Sequence, residues 1–250
     1  MRALIFAKRN FKEITREPLN FILALGIPVF MLVLFAVLQS FIPKGQFEAD
    51  WLTAGVCVFS ISFDMLFVAL LFSKDRSGEF LNRLFTSSMK GRDYIIGYFI
   101  PNFIVAIIQL FICVLVSWFI AVVSGQNYNV LAHFASIVIT IPAIVCFLSM
   151  GMIFGAILSD KQAPGISSMI ISVSSVLSGA WMPIESMGSF QTFCKVLPFY
   201  AAVYPNRTLA LNIGVTFENF WLGILTESIY AVVFFALAIV VFNVAKKADK

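Results

Sequence analysis

Residues 74–92 read KDRSGEFLNRLFTSSMKGR and form the longest polar interruption in the first half of an otherwise apolar chain. Five of the seventeen lysines and arginines lie in this segment. Its apolar residues Phe80, Leu81, Leu84 and Phe85 nevertheless recur at helical spacing. An amphipathic helix held between two apolar runs is typical of a docking element rather than of a loose tether.

The composition excludes an ordinary soluble domain. Hydrophobic residues make up 60% of the 250 residues and charged residues only 12%, against about 25% charged residues in soluble proteins. The net charge of +4 does not indicate nucleic-acid binding, because the basic residues cluster beside apolar runs, where membrane topology explains them. The four cysteines lack metal-ligand spacing, so no metal site is expected.

The apolar runs predict an all-α polytopic membrane protein with six transmembrane helices, each roughly long enough to cross about 30 Å of hydrocarbon. The whole chain, 1–250, is interpreted as one membrane domain. The predicted spans cover residues 19–42, 51–72, 94–124, 131–158, 163–180 and 220–244.

Two further segments lie outside these spans. Residues 1–17 carry apolar side chains on one helical face and basic side chains elsewhere, which predicts an interfacial amphipathic helix on an anionic leaflet. Residues 181–217 are too long for a turn and too apolar for a solvated loop. They predict a re-entrant or interfacial hairpin on the outer side.

The distribution of basic residues predicts the orientation. Fourteen of the seventeen lysines and arginines fall in the N-terminal segment, residues 74–92, the turn at 159–162 and the C-terminal segment. Because cytoplasmic connections carry the excess of Lys and Arg, both termini are predicted to be cytoplasmic. The compact form of the chain favours a bacterial plasma membrane.

The chain has no phosphate-loop motif and no H-E-x-x-H zinc motif, and His133 is its only histidine. We therefore expect no enzymatic activity from this chain alone. Directed transport would need an ion gradient or a separate ATPase.

Two motifs carry a family resemblance. Ser77-Gly78-Glu79-Phe80-Leu81-Asn82-Arg83-Leu84, followed by Tyr94-Ile95-Ile96-Gly97-Tyr98, resembles the cytoplasmic loop of ABC-2 type transporter permeases. Ser178-Gly179-Ala180-Trp181-Met182-Pro183-Ile184-Glu185, then Leu197-Pro198 and Arg207, resembles the family signature after span five. The first motif departs from the family pattern at Glu79, at Asn82 and at Ser87-Ser88, where Thr, Glu and Pro are usual.

The resemblance implies that residues 74–92 form a coupling helix that docks in a cleft of an ABC ATP-binding subunit. It also implies that two permease copies, or one copy and a paralogue, form the pore. ATP and Mg would be bound by the partner ATPase, and no cofactor by this chain. The predicted coupling residues are Arg76, Glu79, Phe80, Arg83, Leu84, Phe85 and Arg92. The predicted outer gate and re-entrant segment comprise Gly179, Pro183, Glu185, Pro198 and Arg207.

Two carboxylates fall inside predicted spans, where no Lys or Arg lies to pair with them. Asp64 in span two and Glu227 in span six either line a translocation path or stay protonated and bond to a neighbouring helix. By resemblance, faces of spans two and five line a central cavity, although an aromatic stripe can equally face lipid. The candidate path residues are Phe59, Phe63, Asp64, Phe67, Met169, Val173, Val176, Leu177 and Glu227.

The resulting hypothesis is the permease subunit of an ABC-2 type exporter that moves an amphipathic or hydrophobic substrate such as a drug, peptide, antibiotic or lipid-like molecule. One alternative is an ion-coupled secondary carrier that uses Asp64 and Glu227, although the chain shows no inverted repeat. Another is a non-transporting immunity or sensor subunit.

Overall fold

The computed structural model describes residues 2–16, 18–41, 47–78 and 91–248. This part of the chain is helical almost throughout and contains no strand, which confirms the all-α prediction. The helices in chain order are α1 (Arg2–Arg16), α2 (Pro18–Gln39), α3 (Ala49–Ser77), α4 (Gly91–Ser124), α5 (Val130–Ile139), α6 (Ile141–Ile157), α7 (Ala163–Leu177), α8 (Ser189–Val196), α9 (Pro198–Ala210) and α10 (Leu222–Ala248). A 3-10 turn spans Ile184–Ser186, and a π-helical turn spans Phe217–Trp221.

The apolar helices make this a multi-pass membrane protein. In the described chain, three helices are long and apolar enough to cross a membrane, at Ala49–Ser77, Asp93–Ser124 and Phe217–Ala245. Helices α5 and α6 together add a fourth candidate if both belong to one span. The remaining predicted spans, one and five, correspond to the shorter apolar stretches Ala24–Gln39 and Ala163–Leu177. The count of six spans stays a prediction.

Helix α3 is the central element of the bundle. Its apolar window is 78% buried inside the chain, against 17% for the corresponding window of α10, and it packs against α2, α4, α6, α7 and α9. Its buried hydroxyls do not need partners on other helices, because Thr53, Ser60 and Ser62 donate to carbonyls of the preceding turn. The three hydroxyls are thus hydrogen-bonded within α3 itself, and the helix can pack against its neighbours without supplying them with partners.

The fourth predicted span is bent by 44° between α5 and α6. Pro142 lies in the first turn of α6, where its missing N–H costs no helical hydrogen bond. Thr140 stands at the break, and its hydroxyl accepts a hydrogen bond of 2.9 Å from the side-chain amide of Asn206 on α9. The bend thus brings α9 against the middle of this helix pair.

The predicted outer segment 181–217 contains two short helices, α8 and α9, and its re-entrant or interfacial position stays a prediction. Helix α9 is buried along most of its length. Leu197 separates the two helices and has an extended backbone, because Pro198 after it disfavours helical geometry.

Candidate functional site

A polar junction joins α1, α3 and α4 directly beside the predicted coupling segment. The Arg9 guanidinium donates to both carboxylate oxygens of Asp75, at 2.8 and 3.2 Å. The Tyr98 hydroxyl donates to the same carboxylate at 2.7 Å. Asp75 is buried, so these donors replace the water that its charge would otherwise need. One carboxylate therefore fixes three helices relative to one another.

The same junction contains closely packed aromatic side chains. Phe6 of α1 meets Tyr94 and Tyr98 edge to face, with ring centroids 5.9 and 5.1 Å apart. The approach is possible because residue 97 is glycine, and a Cβ there would stand only 2.1 Å from the Phe6 ring. The Asn10 side-chain amide donates to the Gly97 carbonyl at 3.0 Å. Helix α1 therefore packs on α4 through its Phe6 and Asn10 side, while Leu4 and Ile5 stay exposed.

Electrostatics keep the arginine of this junction charged. Partial burial alone would lower the pKa of Arg9, but its hydrogen bond to Asp75 and the charges of Asp75 and Glu13 outweigh burial and raise this pKa. Glu13 lies one helical turn further along α1, with its carboxylate 2.6 Å from the guanidinium. The guanidinium of the junction is thus charged at neutral pH.

The predicted coupling residues fall mostly outside the described residues. Helix α3 ends at Ser77 and α4 begins at Gly91, and the hypotheses for Glu79, Phe80, Arg83, Leu84 and Phe85 concern the segment between them. Arg92 lies in the first turn of α4. Arg76, in the last turn of α3, donates to the Ala156 carbonyl of α6. At least one of the predicted coupling cations therefore also contacts the bundle.

The phenylalanine stripe of α3 divides between two environments. Phe59 contacts both Phe63 and Trp181, with centroids 5.1 and 5.0 Å apart. Phe67 instead lines an internal cavity together with Asp64. The structure therefore places Phe59 and Phe63 in an aromatic cluster at the start of the predicted outer segment, and Phe67 elsewhere.

The candidate face of α7 is exposed in the single chain. Met169, Val173 and Val176 are 68%, 42% and 45% exposed. Leu177 differs, because it packs beside the small cluster formed by Ile184, Cys194 and Tyr200. The opposite side of α7 carries buried serines that face the bundle.

Glu227 is separate from Asp64. It is buried on α10, beside Cys146 of α6. The cavity that Asp64 lines has no described lining residue from α10. The two acids of the spans thus do not form one site.

Arg207 of α9 connects the predicted outer segment to the rest of the bundle. Its guanidinium donates to the carbonyls of Trp51, Gly179 and Ala180, at 3.2, 2.7 and 3.2 Å, and stacks 3.6 Å above the Trp51 ring. Burial lowers the pKa of Arg207 to about 10, although Glu185 at 3.7 Å opposes that effect, so the group is charged at neutral pH. Arg207 therefore ties α9 to the beginning of α3 and to the residues after α7.

Of the other predicted outer residues, Gly179 and Glu185 contact this arginine. Gly179 has a φ of +69°, a conformation that glycine adopts without strain, and it turns the chain out of α7 toward its contact with Arg207. Pro183 precedes the 3-10 turn that holds Glu185. Pro198 is buried at the start of α9.

Sequence reasoning missed Arg9, Asp75 and Tyr98. A weak signal existed, since Arg9 and Glu13 are four residues apart on α1 and Tyr94 and Tyr98 are four apart on α4. Nothing in the sequence paired either set with Asp75. Among the described residues, no group of three or more His, Cys, Asp and Glu side chains could hold a metal ion.

Comparison with known proteins supplies the family. Residues 2–211 match the family described as "ABC-2 type transporter". A similar protein is ABC transporter G family member 20 of Dictyostelium discoideum, which is 21% identical over 206 residues. The match covers 80% of this chain and 27% of that relative, so the chain spans about a quarter of the relative's length.

Proposed function

Because this chain belongs to the ABC-2 type transporter family, we propose that it is the permease subunit of an ABC exporter. It moves an amphipathic or hydrophobic substrate outward, and a separate ATPase subunit that binds ATP and Mg supplies the energy. Two copies, or one copy and a paralogue, form the pore in a bacterial plasma membrane with both termini in the cytoplasm.

The observation that carries this proposal is the junction of Arg9, Asp75 and Tyr98. The two helix ends that flank residues 79–90 are held together by one buried carboxylate. A force on the segment between them is therefore transmitted to α1, α3 and α4 as a unit. Since α3 is the central helix, that force reaches most of the bundle.

A second connection between helices lies at the predicted outer end of the bundle. Arg207 links the beginning of α3 to the residues that follow α7. When the partner ATPase closes on ATP, the coupling segments of the two permeases approach each other, and α3 and α7 shift. The contacts of Arg207 then rearrange, and the path opens beneath residues 181–217.

The exposed face of α7 gives the path a wall. Met169, Val173 and Val176 are apolar and are exposed in the single chain. Facing the same surface of a second permease, they would enclose an apolar passage suited to amphipathic or hydrophobic molecules.

The test is co-purification of the tagged permease from its native membranes. We expect a chain that carries a phosphate-loop ATPase sequence to co-purify, and the complex in proteoliposomes to hydrolyse ATP. The double change Glu79→Arg with Arg83→Glu should lower the recovered ATPase by about tenfold, because like charges would then face each other across the polar rim of the docking interface.

The matched control is Lys195→Glu, which reverses an exposed charge on the predicted outer side and should leave recovery unchanged. Equal recovery of the ATPase with wild type and with the double variant would contradict the docking assignment. Absence of any co-purifying ATPase would contradict the proposed function itself.

A further inference from the structure

A cavity of about 280 Å³ lies within the single chain. Its walls come from several elements of the bundle and are largely apolar. Among the lining residues are Ile14 of α1, Ala24 of α2, Phe67 and Leu71 of α3, and Val105 of α4. Because a water molecule occupies about 30 Å³ of liquid volume, the cavity has room for a small organic molecule.

The charged residues of the cavity are mainly acidic. Asp64, Glu13 and Asp160 are carboxylates, and Lys74 is the basic residue among the described lining. Glu13 already pairs with Arg9. Lys74 follows Asp64 by ten residues on α3, which places it about 15 Å further along the helix axis. Because Lys74 is exposed and Asp64 is buried, the lysine lies at the mouth of the cavity and Asp64 at its inner end.

Asp64 is the feature that needs an explanation. Its side chain is only 2% exposed, and its Oδ2 atom has no hydrogen-bond partner among the described residues. A carboxyl group removed from water without a partner is costly to keep ionised. A cation in the cavity would remove that cost by pairing with Asp64, and its apolar body would contact the walls. The Phe67 ring provides an additional surface that attracts a cation.

We propose that this cavity is a binding site for a small hydrophobic cation, with Asp64 as its counter-charge and with access from the end of the bundle that carries α1. The described lining of the site comes from one copy of the chain, and the exposed face of α7 does not contribute to it. The proposal goes beyond the export function, because binding requires neither an ATPase nor a second permease.

The experiment measures equilibrium binding of radiolabelled benzyltrimethylammonium to the full-length chain in nanodiscs. We expect saturable binding to wild type, and a loss of affinity of about tenfold or more in Asp64→Asn, as when a buried charge pair loses one partner. Asp64→Glu keeps the charge and should retain most of the affinity. Leu71→Trp keeps Asp64 but fills the cavity, and should abolish binding.

The matched control is Glu218→Gln, which removes an exposed carboxylate near the start of α10 and should bind as wild type does. Neopentylbenzene, the neutral carbon isostere of the probe, should compete poorly. Non-saturable binding to wild type would overturn the proposal, as would unchanged affinity in both Asp64→Asn and Leu71→Trp. If Asp64→Asn fails to fold, Leu71→Trp decides alone. Recovery of a partner ATPase is a separate measurement, so failure of the export proposal does not affect this result.

Discussion

Asp75 shows how much one side chain contributes to this fold. It accepts hydrogen bonds from Arg9 and Tyr98, which come from the helices on either side of it. In the sequence, Asp75 stands between Lys74 and Arg76, and there it resembles one more charge of a solvated segment. Its burial, with only 4% exposed, makes it instead the shared acceptor of the junction.

Asp75→Asn should destabilise the protein by about 1–3 kcal/mol, because it removes the negative charge and replaces one of the two acceptor oxygens used by Arg9 and Tyr98 with an NH2 donor, while the side-chain size is kept. Tyr98→Phe removes one of these hydrogen bonds and should have a smaller effect. The described cysteines are all buried, so thermal unfolding can be followed with a thiol-reactive dye. Glu218→Gln is the control, and a wild-type melting temperature in Asp75→Asn would contradict the role assigned to the junction.

At the scale of elements, the contact between α3 and α6 depends on two glycines. Gly151 and Gly155 are four residues apart, a spacing that lets helix backbones approach closely. The partner helix is α3, because a Cβ at position 151 would lie 2.4 Å from the Met65 carbonyl oxygen. At position 155 it would lie 2.6 Å from the Cβ of Phe72.

Gly151→Ala should therefore force α3 and α6 apart and cost about 1–3 kcal/mol of stability, the range for overpacking. The control is Gly165→Ala on α7, where a Cβ meets nothing within 4 Å. That change should be neutral or slightly stabilising, because alanine favours helices more than glycine does. Thermal unfolding of both variants provides the comparison, and equal melting temperatures would refute the close approach.

At the scale of the whole molecule, the orientation in the membrane rests on charge. The predicted inner connections include the turn between α6 and α7, and the predicted outer segment includes the chain between α9 and the π-helical turn. Lys161 lies in the first and Gly214 in the second, and both are exposed. If the helices span the membrane as predicted, these two residues lie on opposite sides.

Single cysteines at these positions test that arrangement in intact cells. An impermeant maleimide should label Gly214→Cys directly, and Lys161→Cys only after permeabilisation. The buried native cysteines should add little background. Labelling of both positions from the same side would refute the predicted six-span topology.

Prediction from the sequence was strongest for the fold class and weakest for the contacts within the site. The apolar runs indicated membrane helices, and the motif with Gly179 and Arg207 indicated the family, to which residues 2–211 belong. The stripe of Phe59, Phe63 and Phe67 was less informative. Its spacing suggested one shared wall, but Phe67 lines a different space from Phe59, because residues eight apart on a helix differ in direction by about 80° and in height by about 12 Å.

The sequence by itself determined that this protein is helical and lies in a membrane. Long apolar runs cannot be solvated, and in lipid their backbone groups must bond within the helix, so composition along the chain is sufficient for that conclusion. Only the tertiary structure decided that Arg9 meets Asp75, 66 residues away, and that Asp64 faces an internal cavity. Helical periodicity shows which residues share a face, but the packing of distant helices selects what that face contacts.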